Sequence, residues 1–99
     1  MKITINSVHF KADKKLVDFI NEKVEKLTTV YNGVIGSDVI LKVENTETPE
    51  NKVAEIRLFI KGNDLYAKKQ SKTFEEATDT AVEALKRQLS KYKDKLKSH

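Results

Sequence analysis

Between Phe74 and Leu96 the residues Phe74, Ala77, Thr78, Ala81, Leu85, Leu89, Tyr92 and Leu96 form one stripe at helical spacing. Over roughly 25 residues such a helix is about 37 Å long at 1.5 Å per residue, which is long for a chain of 99 residues. A domain this small has a single core, so the rest of the chain must supply the surface that covers the stripe. Thr73-Phe74-Glu75-Glu76 marks the start of the helix as a capping box, in which the Thr73 hydroxyl and the Glu76 carboxylate each satisfy a free backbone amide. The stripe's far end is expected to overhang whatever it packs on.

The covering surface is legible as strands. Lys2 to Asn6 alternates, with Ile3 and Ile5 on one side. From Ser37 to Glu44, Val39, Leu41 and Val43 face one way and Ile40, Lys42 and Glu44 the other. Lys52 to Lys61 places Ala54, Ile56, Leu58 and Ile60 inward. Gly62-Asn63-Asp64 is a tight hairpin signal, and Leu65 to Lys72 runs back as a fourth strand. Asn45 to Asn51, with the only proline, is a polar loop. Asp13 stands where an N-cap belongs, and Leu16, Val17, Ile20, Val24, Leu27 and Tyr31 follow as a first helix ending at Asn32-Gly33. The order is strand, helix, three strands, helix. Two amphipathic helices need one shared sheet face, which predicts an α+β, two-layer β-α-β-β-β-α domain spanning residues 1–99, its other sheet face open to water.

Charge is unevenly placed. Ala84 to His99 carries Lys86, Arg87, Lys91, Lys93, Lys95 and Lys97 against Asp94 and is +5, while Met1 to Glu83 holds 13 basic and 14 acidic groups and is −1. The formal +4 is therefore a property of this tail. Acids at the start of a helix and cations at its end complement the macrodipole, and a solvated, dipole-matched helix is one reading. Six cations exceed what the last turn can use, and binding to nucleic acid or another polyanion is the other. Lys15, Lys23 and Lys26 add a basic edge to the first helix. Contacts of this kind meet phosphates, which position without reading sequence, and Arg87 offers the planar fork for a bidentate one.

Other chemistries find little support. Without cysteine there is no disulfide or thiolate site, and a reducing compartment fits. His9 and His99 lack metal-ligand spacing. No nucleophile, base and orienting acid stand out, no phosphate-binding glycine loop is present, and neither catalysis nor a cofactor is expected. Gly33-Val34-Ile35-Gly36 has the spacing of a KH-domain GXXG loop, but it reads better as a helix cap and turn. The N-terminus lacks the apolar core of a signal peptide, and no run is long enough to span a membrane. Phe59 and Tyr66 fall on the open sheet face, either as cross-strand packing or as a platform for bases or a protein partner.

The tail Arg87 to His99 (RQLSKYKDKLKSH) is very similar to the C-terminal helix of the short ribosome hibernation-promoting factors, the ribosome-associated translation inhibitors of bacteria. Leu16, Phe19, Lys23, Lys26 and Leu27 resemble that family's first helix, and Leu41-Lys42-Val43-Glu44 its second strand. The resemblance covers essentially the whole chain. It implies a non-enzymatic cytoplasmic protein that binds the small ribosomal subunit through 16S rRNA, between head and body. There it would block messenger and transfer RNA sites and silence ribosomes in starved or stationary cells. Lys23, Lys26, Arg87, Lys91, Lys93 and Lys95 are the positions onto which the family's rRNA-contacting character carries.

Two departures stand out. Thr73-Phe74-Glu75 replaces the Asp-Met-Tyr often seen in relatives but keeps a cap and a buried aromatic, and Lys69 occupies a position that relatives tend to fill with a small residue. A Lys69 directed toward the helices must snorkel to water. Longer members pair two ribosomes through an additional C-terminal domain, a route not expected of a chain ending at His99, which is read as a monomer off the ribosome. A general double-stranded RNA-binding module is the alternative, since helices on one sheet face suit that role too.

Overall fold

The structure, a computed structural model, describes residues 1–45 and 47–97, Lys97 by its backbone alone. Its elements are β1 (Lys2–Ser7), α1 (Lys14–Glu25) with a 3-10 segment (Lys26–Thr29), β2 (Val34–Val43), β3 (Lys52–Ile60), β4 (Asn63–Ser71) and α2 (Phe74–Lys97). The strands stand in the order β1-β2-β3-β4. β1 runs parallel to β2, and the other pairs are antiparallel. A parallel neighbour needs a crossover connection, and α1 is that crossover.

The core forms where the helical stripes meet the inward residues of the sheet. Leu16, Ile20 and Val24 of α1, with Leu27, pack with Val39, Leu41, Ala54, Ile56 and Leu58 and with Ala77, Ala81, Leu85 and Leu89 of α2. α2 lies over β3 and β4, with α1 beside it. The expected β-α-β-β-β-α order and single helical layer are both present. Val43, expected inward, is exposed at the end of its strand, whereas Val53 on the opposite face is fully buried. The β2–β3 connection closes beside Val53, with the Glu44 amide donating to the Asn51 carbonyl (2.8 Å) and the Gln70 side chain donating to the Glu50 carbonyl.

Local chemistry sets the boundaries. The Leu16 amide donates to Asp13 Oδ1 (2.9 Å), the predicted cap of α1, and the Glu76 amide to Thr73 Oγ1 (3.1 Å), one half of the predicted capping box. The first helix stops being α-helical at Glu25, earlier than the apolar spacing implies. Thr28 and Thr29 donate their hydroxyls to the carbonyls three residues back, at 2.7 Å each, and the chain tightens into the 3-10 segment. The β3–β4 turn is Lys61-Gly62, one position ahead of the expected one, because Gly62 adopts φ +81° and Ile60 pairs with Asn63. Val34-Ile35-Gly36 belongs to β2, so the GXXG-like stretch joins no two helices. Phe10, on the β1–α1 connection, stacks on Phe74 at 4.9 Å between centroids and pins the start of α2.

Lys69 shares the helix-side face of β4 with the buried Leu65, Ala67 and Ser71 and is itself half-buried, the snorkelling arrangement expected of it. An inward lysine on an edge strand also discourages a further strand from adding there. Thr78 is fully buried, and its hydroxyl has no hydrogen-bond partner among the described residues. An unpartnered buried hydroxyl costs about 1 kcal/mol or more. Thr78→Val, similar in shape, is therefore expected to raise unfolding stability by about 1 kcal/mol in urea titrations.

Candidate nucleic-acid interface

Away from the sheet, α1, the 3-10 segment and α2 enclose a groove of about 300 Å³ lined by Lys23, Lys26, Leu27, Thr29, Val30, Asp79, Val82, Glu83 and Lys86. A shallower hollow adjoins it, lined by Lys23, Asp79, Thr80, Glu83 and Arg87. Lys23 bridges the two helices, its Nζ 3.2 Å from Asp79 Oδ1 and 5.5 Å from the centre of the Phe19 ring. Lys26 lies 3.8 Å from Glu22 on its own helical face, both side chains being largely exposed. Lys23, Lys26 and Lys86 therefore face into one groove and Arg87 into the hollow beside it, which brings Lys23, Lys26 and Arg87 of the predicted set near one another.

The other predicted cations stand elsewhere on α2. Lys93 is half-buried and lines a separate hollow of about 450 Å³ with Thr28, Thr29, Val30, Tyr31, Asn32 and Leu96. The helix end there is held by Tyr92, which meets Tyr31 edge to face at 5.7 Å and donates to the Lys61 carbonyl (3.4 Å). Lys91 and Lys95 are exposed. At roughly 100° per residue they lie about 140° and 180° round α2 from Lys86. That is the flank of Gln88, whose side chain donates to the Tyr66 carbonyl of β4 (3.0 Å). Of the four predicted residues on α2, Lys93 lies on the flank of Lys86, Lys91 and Lys95 lie on the opposite one and Arg87 faces outward between them, while Lys23 and Lys26 belong to α1 and the 3-10 segment.

Lys86, Asp79 and Glu83 were missed as groove residues. Lys86 follows Asp79 by seven positions and Val82 by four, spacing that places all three on the α1-facing flank. Taking the tail as a sum of charge hid that signal. No sequence pattern marks the pairing of Asp79 with Lys23, which depends on how two helices are set side by side.

The open sheet face is charged but internally paired. The Tyr66 hydroxyl donates to Glu55 Oε1 (2.6 Å), Lys42 Nζ lies 3.0 Å from Glu55 Oε2, and Arg57 lies 3.9 Å from Asp64. The bond from Tyr66, with the ion pair to Lys42, holds the Glu55 carboxyl below its ordinary pKa, while bonding to Glu55 raises both Tyr66 and Lys42. Arg57 stands 5.5 Å from the centre of the 43% exposed Tyr66 ring, and Phe59 is half-buried beside Gly36, so each aromatic packs against its own cross-strand neighbour. His99 lies outside the described residues, and no described helix is long and apolar enough to cross a membrane.

Comparison with known proteins places this architecture. The chain is 28% identical over 99 residues to the ribosome hibernation promoting factor of Klebsiella oxytoca, the alignment covering 100% of both. Its fold matches a ribosomal subunit interface protein from Coxiella burnetii with a TM-score of 0.83, at 18% identity over 95% of this chain and 99% of that one. It also matches the N-terminal domain of Protein Y from Thermus thermophilus with a TM-score of 0.81, at 19% identity over 93% and 99% respectively. Residues 3–97 match the family described as sigma 54 modulation protein / S30EA ribosomal protein, a family of ribosome-associated proteins rather than of enzymes. This chain belongs to that family, the family of the ribosome hibernation factors.

Proposed function

We propose that the protein binds the small ribosomal subunit through 16S rRNA, occupies the path of messenger and transfer RNA, and so silences translation in starved or stationary bacterial cells. The observation that carries this reading is the distribution of cations around α2. Lys23, Lys26, Lys86 and Lys93 lie on the side where α1 and the 3-10 segment meet α2, Arg87 faces outward beside the groove, and Lys91 and Lys95 continue round to the opposite flank. A straight duplex laid on the domain reaches one flank of such a helix. A channel of folded RNA reaches both, and a folded body seated in the decoding channel excludes other RNA by volume alone. The names of the relatives agree with this target, since they are called hibernation promoting and subunit interface proteins.

Binding of this kind neutralises phosphates and releases counterions, so it weakens as salt rises. It needs no cofactor and no second copy of the chain, and its site of action is the cytoplasm. Purified protein is expected to co-sediment with small subunits and intact ribosomes at low salt, to leave them as salt is raised, and to inhibit translation in vitro. Failure to co-sediment at low salt would remove the reading. Equal affinity for a plain RNA duplex would favour the general double-stranded RNA-binding module instead.

A further inference from the structure

The groove between the helices is not uniformly basic. Asp79, Glu83 and Lys23 line both the deeper groove and the adjoining hollow, while Lys26 and Lys86 line only the first and Arg87 only the second. Two carboxylates thus share the middle with one lysine, and that lysine is engaged. Its Nζ stands 3.2 Å from Asp79 Oδ1, over the Phe19 ring, with side chains 31% and 55% exposed. The Lys26–Glu22 pair is looser, at 3.8 Å within one helical face, with side chains 62% and 70% exposed. Lys26 is therefore available to a ligand at little cost, and Lys23 at a higher one, since its pair is shorter, less exposed and backed by the Phe19 ring.

A surface meant for phosphate alone gains nothing from carboxylates at its centre. A phosphate approaching Lys23 must either displace Asp79 or lie against it, and Glu83 adds a second like charge. We propose that Asp79 is a specificity-determining residue, which by holding Lys23 makes the groove reject a regular row of phosphates, such as a duplex presents, and accept folded RNA. The RNA that fits places phosphates at the rim, against Lys26, Lys86 and Arg87. At the centre it places a hydrogen-bond donor, a base amino group or a ribose hydroxyl, for the carboxylates to accept. This deepens the proposed RNA-binding function and rests on it.

The test is Asp79→Asn, which keeps the shape and removes the charge, with Asp79→Ser as a second variant. Each is titrated against salt with a plain A-form RNA duplex and with purified small subunits. Freeing Lys23 should add one phosphate contact to the duplex complex, steepening the log–log salt dependence by about one unit and raising duplex affinity about threefold or more. Affinity for small subunits should rise less, so the ratio of the two falls. On a Lys23→Gln background, Asp79→Asn should leave the salt slope unchanged. If Asp79→Asn lowers only the thermal midpoint, with slope and ratio as in the parent, Asp79 is a brace between helices and the proposal is overturned. If the parent protein fails to bind small subunits, the ribosomal reading falls, while the duplex titration still reports on Asp79.

Discussion

Replacing Lys26, Lys86 and Arg87 together by glutamate is expected to weaken association with small subunits roughly a thousandfold at low salt. Three lost phosphate contacts, with repulsion where attraction stood, amount to about 4 kcal/mol. The log–log salt slope should flatten by about 2.7, close to three contacts at 0.9 each. Lys26, Lys86 and Arg87 are exposed, so circular dichroism should be unchanged and unfolding in urea should shift by less than about 0.5 kcal/mol per site. Lys23 is left in place because reversing it would also set a carboxylate against Asp79 and mix a folding effect with a binding one. The informative partner is Lys91→Glu/Lys95→Glu on the opposite flank. If rRNA surrounds α2, that pair should weaken ribosome association about tenfold or more on its own, while affinity for a plain duplex seated on the groove should fall less, through Lys91 alone, which stands one turn from Arg87. Sensitivity of ribosome association to the groove alone would mean that the partner meets a single flank.

The reason for needing two variants is also the reason the site was only half legible in the sequence. Periodicity sufficed for the elements: Ile20, Val24, Leu85 and Leu89 belong to helical stripes, Val39, Ile56 and Leu58 to strand faces, and all are buried as their spacing requires. Caps at Asp13 and Thr73 are local chemistry and could be read directly. The early end of α1 was harder, because Leu27 and Tyr31 keep helical spacing while Thr28 and Thr29 redirect the backbone through their own hydroxyls. At the interface, the sum of charge over the tail was informative about sign and silent about direction. The angular positions of Lys86, Lys91 and Lys95 follow from helix geometry alone. Which flank faces α1 does not, since it depends on α2 lying over β3 and β4. Lys23 shows the limit most sharply: as a basic residue on a helix edge it reads as a free contact, and in the fold it is held by a carboxylate from 56 positions away.

The stripe along α2 carries the second large effect, and its two ends should behave differently. Leu85 and Leu89 are fully buried in the core, whereas Leu96, on the same stripe, is 47% exposed at the end of the helix. Leu85→Ala removes buried methyl groups and leaves a cavity beneath the groove, expected to cost about 2–5 kcal/mol. That is a large share of the roughly 5–15 kcal/mol by which a domain of this size is stable. Leu96→Ala gives up only about half of a leucine's burial and gains slightly in helix propensity, so its expected cost is about 1 kcal/mol. Urea unfolding of the two variants measures the contrast. A cost near zero for Leu85→Ala would contradict the packing of α2 on the sheet. A cost of several kcal/mol for Leu96→Ala would mean that the basic end of the helix is covered in solution and is not the accessible projection that a surrounding RNA requires. With Leu96 dispensable for folding, Tyr92, packed on the core and edge to face with Tyr31, is the last residue of α2 that the fold needs. The turn beyond it is then explained by what Lys93 and Lys95 reach rather than by what Leu96 buries.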